Sequence, residues 1–278
     1  MIHPTLSSIG TEDYEAFFLI GGPCVVESYD ICAVVAEQLK EVSASTNIPL
    51  VFKASLKKAN RTSLGSFYSV GEDEALDILR RVKENFDVAI TTDVHETTDI
   101  GKVKEVVDLI QIPAFLCRQT DLLVSAGAAD LPVNIKKGQF ATPSTMTYAI
   151  EKVKSGRSDS LGSSDDIFLT ERGYMHGYHD LVVDPKSISE MSRTATTIID
   201  ATHANQKPNQ TAGITAGSSM DAELLIRVGL VSGARGVFLE THPNPSQALS
   251  DGATMIPLDQ IRPILERSHA LMLALRNI

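Results

Sequence analysis

Eight short runs of apolar and β-branched residues recur along this chain, and their spacing constrains the fold more than any other feature. The runs are FFLIGGPCVV (17–26), IPLVFKAS (48–55), VAITTDV (88–94), LIQIPAF (109–115), PVNIKKG (132–138), DIFLTERG (166–173), TTIIDATH (196–203) and GVFLETHP (236–243). Successive runs begin 20 to 40 residues apart, which is the spacing of repeated strand–helix units. Because the runs are almost continuously apolar, we expect parallel strands that are buried on both faces.

Helix-like stretches separate most of these runs. Examples are YDICAVVAEQLKEVSAST (29–46), DEALDILRRVKENF (73–86) and MDAELLIRVGLVSG (220–233). Eight strand–helix units in 278 residues predict an α/β fold, a (β/α)8 TIM barrel that forms one domain over residues 1–278. Residues 1–16 would be a short N-terminal extension, and DQIRPILERSHALMLALRNI (259–278) would be the eighth helix. The alternative is a doubly wound open sheet, but no GxGxxG or GxxxxGK[ST] loop follows any run.

The bulk composition excludes several classes of protein. A net charge of −10 argues against nucleic acid and anionic membranes as partners. No run approaches the length of a membrane span, and the N-terminus lacks the basic and apolar regions of a signal peptide. Three cysteines (Cys24, Cys32 and Cys117) are too few for a disulfide framework, so we expect a cytoplasmic location.

Polar residues collect where the predicted strands end, and in this fold the C-terminal strand ends form the active-site mouth. The polar residues at these ends are Cys24, Lys53, Asp93, His95, Lys136, Lys137, Glu171, Arg172, Asp200, His203, Glu240 and His242. A barrel without a site would scatter its charges. The pattern therefore predicts a functional site at the C-terminal mouth.

Four of the residues near the mouth form a possible metal site: Cys24, His203, Glu240 and Asp251. A closed barrel would place the first strand beside the last, so these side chains could converge despite their separation in sequence. Sulfur, imidazole and two carboxylates suit a borderline divalent ion such as Zn, Fe, Mn or Co. Taken singly, each has a structural alternative: a buried thiol, a hydrogen-bonded histidine, or an aspartate at a helix start.

A second set of residues near the mouth is cationic. Its members are Lys53, Lys58, Arg61, Arg118, Lys136, Lys137 and Arg172. Such a set can bind phosphate and carboxylate groups, which indicates a small substrate with several negative charges. The alternative is that these residues form salt bridges with Asp93, Glu96 and Glu171 at the rim. Residues 204–219, which are polar and contain glycine, are a candidate lid.

These segments resemble a known family. GGPCVVES, VFKAS, KANRTS, TTDVHE, LIQIPAFLCRQTDLL, NIKKGQF, FLTERG, GYHDLVVD, DATH and FLETHPNP are similar to the 3-deoxy-D-manno-octulosonate-8-phosphate (Kdo8P) synthase family, in order, over residues 17 to 275. Members with cysteine at the position of Cys24 form the metal-dependent class. The resemblance therefore implies a metal-dependent transferase of Kdo and lipopolysaccharide biosynthesis, and a homotetramer.

The resemblance also implies a reaction and its residues. Phosphoenolpyruvate would condense with the aldehyde of arabinose 5-phosphate and release inorganic phosphate. The implied residues for phosphoenolpyruvate are Lys53, Ser55, Lys58, Lys137 and Arg172, with Gln111 nearby, and those for the sugar phosphate are Asn60, Arg61 and Thr62. Asp93 is also among the implied substrate-binding residues, as is Arg118, which can reach a phosphate across a subunit boundary. The implied catalytic residues are Lys58, Lys137, His203 and Asp251. The metal could activate water or polarise the aldehyde.

Three segments depart from the family pattern. SFYSVG (66–71) replaces SFRGPG, Asp180 replaces an asparagine, and TAGITAGSSMDAE (211–223) lacks the usual glycine pair. These departures leave open a related phosphoenolpyruvate-dependent synthase that uses another aldose. A catalytically silent paralogue would be expected to lose a metal ligand or Lys137, and neither is lost. A metal-dependent hydrolase is disfavoured because its clustered histidine ligands are absent from the sequence.

Overall fold

The computed structural model describes residues 3–9, 17–59, 67–158, 166–175, 180–207, 216–217 and 219–276. Asn60, Arg61 and Thr62, which were expected to meet a sugar phosphate, lie outside these ranges. So does most of the candidate lid, of which residues 204–207, 216–217 and 219 are described.

Eight parallel strands close into a barrel. They are β1 (Phe18–Gly22), β2 (Leu50–Lys53), β3 (Ala89–Asp93), β4 (Leu109–Ile112), β5 (Val133–Lys136), β6 (Ile167–Glu171), β7 (Thr196–Asp200) and β8 (Gly236–His242). Each strand pairs with the next, and β1 pairs with β8 in a register that places Phe18 beside Gly236 and Gly22 beside Glu240. All eight predicted strands are confirmed, and the open sheet is excluded.

The described residues form the helices α1 (Pro4–Ile9), α2 (Tyr29–Thr46), α3 (Glu72–Phe86), α4 (Thr97–Val103), α5 (Thr120–Gly127), α6 (Met146–Gly156), α7 (Pro185–Met191), α8 (Ala222–Val231) and α9 (Ile261–Leu275). The helix α1 precedes β1, and α2 to α9 follow the eight strands in turn, as expected of the fold. The backbone N–H of Ile31 donates to the Ser28 hydroxyl that caps α2, and Asn47 ends the helix in the left-handed conformation at φ 54°. The predicted bounds of α2 are confirmed. None of the helices in the described ranges is long and apolar enough to cross a membrane.

The barrel interior is apolar at its N-terminal end. A buried cluster of Leu6, Ile9, Phe18, Ile20, Val51, Ala89, Leu109, Phe168, Ile198 and Phe238 fills it. Leu6 and Ile9 belong to α1, which therefore closes this end of the barrel. The larger core lies between the outward faces of the strands and the surrounding helices. The extension expected before the first strand thus contains a plug helix.

The inward faces of the strands become polar toward their C-terminal ends. Side chains alternate between the two faces of a strand. The residues two and four positions after each apolar residue of the plugged end therefore also face the barrel interior. The buried polar residues that face inward are Lys53, Thr91, Gln111, Asn134, Lys136, Thr170, Asp200 and Glu240. A short hairpin after β6 pairs Tyr174–Met175 with Leu181–Val182, and another after β7 pairs Gln206–Lys207 with Ala216–Gly217.

Candidate active site

Three of the four predicted metal ligands meet at the mouth. The ligand atoms of Cys24, Glu240 and Asp251 all lie within 4.8 Å of one another. The Cys24 Sγ is 3.2 Å from Asp251 Oδ2 and 2.9 Å from Ser250 Oγ. This convergence depends on the closure of β1 against β8. Gly22 permits a close approach between strands, since a Cβ there would lie 2.1 Å from the Lys53 carbonyl oxygen.

The fourth predicted ligand, His203, joins this group through Glu240. Its Nε2 lies 3.5 Å from Glu240 Oε1, and its Nδ1 lies 2.8 Å from Asp200 Oδ2. Asp200 also accepts the backbone N–H of His203. A carboxylate on one ring nitrogen fixes the orientation of the other, which is the arrangement that metal-binding histidines commonly have.

The chemistry of these groups fits a divalent cation. Within the described residues, the buried Glu240 Oε2 has no hydrogen-bond partner. Burial and the Glu240 carboxylate raise the pKa of the Cys24 thiol well above its ordinary value, so the ligand must release a proton when it binds a metal. Asp251 holds a left-handed conformation at φ 49°, which is uncommon for a residue with a side chain. These residues can hold a metal ion.

Two lysines from β2 and the loop after it face the same space. Lys53 Nζ lies 2.7 Å from Glu240 Oε1 and donates to the Cys24 carbonyl oxygen at 3.0 Å. Lys58 Nζ donates to Ser55 Oγ at 3.0 Å. Burial alone would lower the pKa of Lys58, but the surrounding Cys24, Glu240 and other acidic groups raise it above its ordinary value. Lys58 therefore stays protonated.

A third lysine, Lys136 at the end of β5, reaches the centre of the site. Its Nζ lies 2.7 Å from Asp200 Oδ2 and 3.4 Å from His203 Nδ1. The ammonium also sits 3.6 Å from the centroid of the Phe238 ring, which favours a cation. Burial lowers the pKa of Lys136, and Asp200 opposes this shift.

Lys137 does not reach the cluster, and this placement corrects the expectation that it lies with the other cations of the mouth. Because neighbouring side chains of a strand point to opposite faces, Lys136 points inward and Lys137 points toward the helices. The Lys137 Nζ lies 3.4 Å from Glu171 Oε1 and 3.5 Å from the centroid of the Tyr174 ring. Both lysines were expected in the cationic set; in the structure Lys136 contacts Asp200 inside the cluster and Lys137 contacts Glu171 outside it.

Arg172 faces the site from the end of β6. Its Nη2 donates to Gln206 Oε1 at 2.9 Å. Its Nη1 is buried and has no hydrogen-bond partner among the described residues. Burial lowers the pKa of this guanidinium, although Asp200 and Glu171 oppose the shift. An anion that enters the site would find donors of Arg172 already directed by Gln206.

Asp93 and Gln111 complete the cluster on the side of β3 and β4. His95 Nε2 lies 3.1 Å from Asp93 Oδ2, and among described residues Asp93 Oδ1 lacks a hydrogen-bond partner. Burial would raise the pKa of Asp93, but His95, Lys53 and Lys58 hold it well below its ordinary value. Asn134 Nδ2 donates to Gln111 Oε1 at 3.4 Å. Sequence reasoning placed His95 and Asp200 at the mouth but assigned neither a role.

The remaining predicted residues lie at the edge of the site or away from it. Arg118 is exposed and lines a cavity of about 300 Å³ together with Cys117 and residues of α6. Its backbone carbonyl oxygen accepts a hydrogen bond from Lys152 Nζ at 3.0 Å. In the altered segment after β2, the Tyr68 carbonyl oxygen accepts the backbone N–H of Lys58. Asp180 pairs with Lys207 at 3.3 Å and so links the two loop hairpins.

Comparisons with known proteins show which family the chain is similar to. Residues 5–273 match the model of the DAHP synthetase I family. A 2-dehydro-3-deoxyphosphooctonate aldolase of Campylobacter jejuni is 46% identical over 249 residues, which cover 88% of this chain and 92% of the relative. Proteins of the same name are 44% identical in Dichelobacter nodosus, covering 92% of this chain and 90% of the relative, and 43% identical in Syntrophobacter fumaroxidans, covering 90% and 85%.

Proposed function

The chain belongs to the DAHP synthetase I family, and from this membership we propose that it is a transferase that condenses phosphoenolpyruvate with arabinose 5-phosphate. The products are 3-deoxy-D-manno-octulosonate 8-phosphate and inorganic phosphate. The observation that carries the proposal is the meeting of a cationic cluster and a Cys/Glu/Asp group at one barrel mouth. Lys53 is a member of the cationic cluster and contacts the Cys/Glu/Asp group through the Glu240 carboxylate and the Cys24 carbonyl.

We assign phosphoenolpyruvate to the cationic part of the cluster. Lys53, Lys58, Lys136 and Arg172 are buried and supply the positive charge, and Ser55 and Gln111 supply neutral hydrogen-bonding groups. The unpaired Nη1 of Arg172 gives a carboxylate or phosphate a donor that no described residue already uses. Lys137 is left out of this set because it faces away from it.

The first chemical step forms the carbon–carbon bond. C3 of phosphoenolpyruvate is a weak nucleophile, and holding the aldehyde about 3 Å away gives the advantage of proximity. As C3 attacks, the aldehyde oxygen gains negative charge and takes up a proton. Lys58 is assigned to stabilise this charge as it develops and to deliver the proton, because its ammonium is buried at the mouth and donates to Ser55 Oγ there.

The second step adds water to C2, which is left electron-poor, and expels inorganic phosphate. Buried cations that are fixed by their own partners stabilise the charge on the departing phosphate. We propose that Cys24, His203, Glu240 and Asp251 hold a divalent ion such as Zn, Fe, Mn or Co, with Asp251 and His203 at the end of the site where a proton leaves the water. When bound, such an ion supplies Lewis acidity to a water or to the aldehyde.

The sugar phosphate is assigned to a separate set of residues. Asn60, Arg61, Thr62 and Arg118 are assigned to it, the last across a subunit boundary in a homotetramer. The changes at 66–71, Asp180 and 211–223 favour testing other aldoses as acceptors in a related synthase. The cytoplasmic location, the single domain and the tetramer stay predictions.

An assay of phosphate release tests the proposal. Purified protein is given phosphoenolpyruvate with arabinose 5-phosphate or with other aldoses and aldose phosphates, before and after treatment with a chelator and after metal addition. We expect release only with both substrates, and loss of release after chelation that added metal restores. Release with a different aldose alone would replace the acceptor. Full activity in chelator and in Cys24→Ala would exclude the metal assignment.

A further inference from the structure

A buried ion pair lies just outside the candidate active site and takes no part in the chemistry proposed above. Lys137, which follows β5, and Glu171, which ends β6, lie 3.4 Å apart between Nζ and Oε1, and both side chains are fully buried. The pair faces the helices rather than the barrel interior. Buried charges are expensive unless they are paired and hydrogen-bonded, so this pair calls for a role.

The two partners of the pair are the immediate neighbours of two substrate-facing cations. Lys136 precedes Lys137, and Arg172 follows Glu171. The strands align Lys136 with Thr170, and the backbone N–H of Lys137 donates to the Thr170 carbonyl oxygen at 2.8 Å. The inner faces of the two strand ends thus carry like charges, while the outer faces carry opposite charges that attract.

Glu171 also fixes the backbone beyond Arg172. Its Oε1 accepts the backbone N–H of Gly173 at 2.7 Å. Gly173 holds φ 89°, a conformation that favours glycine, and a Cβ there would lie 3.0 Å from the Cβ of Leu181. Arg172 therefore lies between Glu171 and Gly173, which are joined by this hydrogen bond.

The same carboxylate extends this support to two further elements. Ser187 Oγ in α7 donates to Glu171 Oε2 at 2.6 Å and lies 3.1 Å from the Tyr174 hydroxyl. Tyr174 begins the hairpin after β6, and its ring covers the Lys137 ammonium at 3.5 Å. The carboxylate of Glu171 thus joins β5, the β6 turn and α7.

We propose that Lys137 and Glu171 are positioning residues, which aim Lys136 and Arg172 at the phosphate and carboxylate of the substrate. This inference rests on the proposed function, because it takes phosphoenolpyruvate as the ligand of those two cations. An apolar pair could fill the same volume. It could not accept a charge-assisted hydrogen bond from the Gly173 N–H, and it would not join the ends of β5 and β6 by an ion pair. The charges provide direction as well as packing.

The test separates positioning from stability. Glu171→Gln keeps the volume and removes the charge, and Lys137→Met with Glu171→Gln removes both charges without leaving one unpaired. We expect each to raise the KM for phosphoenolpyruvate about tenfold, the scale on which supporting residues act, with little change in the KM for the aldose. Calorimetric titration with phosphoenolpyruvate alone should show the same loss of affinity.

A matched ion pair at the other end of the barrel wall provides the control. Asp108 Oδ1 lies 2.8 Å from Lys83 Nζ, and Oδ2 accepts the backbone N–H of Ile90 at 3.0 Å. Asp108→Asn removes a buried carboxylate with the same kinds of partner but far from Arg172 in the chain. It should lower the melting temperature and leave the KM for phosphoenolpyruvate unchanged.

The outcomes are distinct. If the double variant binds phosphoenolpyruvate as the wild type does, positioning is overturned and the pair serves only stability. The same conclusion follows if Asp108→Asn weakens binding equally. If Glu171→Gln fails to fold, the double variant decides. If the wild type binds phosphoenolpyruvate but turns over no aldose, the proposed reaction is refuted, and the calorimetric titration of the variants still decides whether the pair positions the cations. If the wild type does not bind phosphoenolpyruvate, both proposals are overturned.

Discussion

The two ends of the barrel interior are built from opposite kinds of side chain. At the N-terminal end, Phe18 and Phe168 pack edge to face and α1 adds Leu6 and Ile9, so this end contains apolar groups that gain from burial. At the C-terminal mouth the same strands bury lysines and carboxylates, which are costly to remove from water. The apolar end therefore stabilises the fold, and the burial of charges at the mouth lowers that stability.

The largest effect should come from the apolar end. Phe18→Ala removes a fully buried ring at the contact with Phe168, and such a change costs about 3–5 kcal/mol of unfolding free energy. Denaturant unfolding measures the loss. Leu224→Ala, at a side chain that is 57% exposed, serves as control and should change stability by about 0.5 kcal/mol or less. Turnover per folded Phe18→Ala molecule should stay near that of the wild type; a large loss would break the division between the ends.

The next effect concerns the mouth. Lys53→Met removes a cation that contacts Glu240 and the Cys24 carbonyl, and the rate of phosphate release should fall about 10²–10³-fold, as when a preorganised donor is lost. The rate is measured at saturating phosphoenolpyruvate, and circular dichroism checks the fold. Lys83→Met, at a lysine of α3 that contacts Asp108, is the matched control and should keep full activity. An active Lys53→Met enzyme would show that the cation is structural.

Much of this contrast could be predicted from the sequence. Each of the eight apolar runs became a strand, because parallel strands buried on both faces have few alternatives for such runs. Barrel closure then brought Cys24 to Asp251 across more than two hundred residues. The placement of Cys24, Glu240, Asp251 and Lys53 at one mouth followed from strand order alone, without side-chain detail.

Strand alternation explains the error at the adjacent lysines. In the order Asn134, Ile135, Lys136, Lys137, the apolar Ile135 packs against the helices and its neighbours in the strand face inward. Two residues beyond Ile135, Lys137 shares its outward face. The alternation in NIKK already indicates that Lys136 faces inward and Lys137 outward. The family resemblance alone did not distinguish the two adjacent lysines.

The plug helix could not be predicted from its own sequence. PTLSSI is six residues long, and an isolated helix of that length is not stable in water. It forms because Leu6 and Ile9 complete a cluster made by strands that lie far along the chain. Tertiary packing therefore decides its structure.

A smaller effect follows for that helix. Leu6→Ala removes most of a side chain that is 6% exposed, and we expect a loss of about 2 kcal/mol, at the low end for buried leucines because α1 can settle into the space. Thermal unfolding measures the loss. Ser7→Ala, at an exposed position of the same helix, controls for changes in helix propensity. If Leu6→Ala is as stable as Ser7→Ala, α1 does not seal the barrel and the apolar end is complete without it.

The smallest effect lies outside both ends, in the ring of helices, and gives the comparison a baseline. Arg267 of α9 donates to both oxygens of Glu223 in α8, at 2.7 and 2.8 Å. Hydrogen bonds from Arg267 and, to a smaller extent, from Arg227 lower the pKa of Glu223 from 4.5 to about 2. A lowered carboxyl pKa contributes stability above the unfolded-state pKa, and this contribution is lost as the pH falls toward about 2. Because both groups are in contact with solvent, which screens their attraction, we expect this contribution to be the smallest of those considered.

Arg267→Gln should therefore lower stability slightly at pH 6 and flatten its decline between pH 5 and pH 3. Urea unfolding at each pH measures both effects, and Arg193→Gln, at an arginine that is not part of this pair, controls for the loss of a positive charge. A flattened decline in the control would attribute the effect to net charge. The rate of phosphate release should stay unchanged in Arg267→Gln. A fall in this rate as large as that in Lys53→Met would mean that the helix ring, and not the interior, sets the function of the mouth.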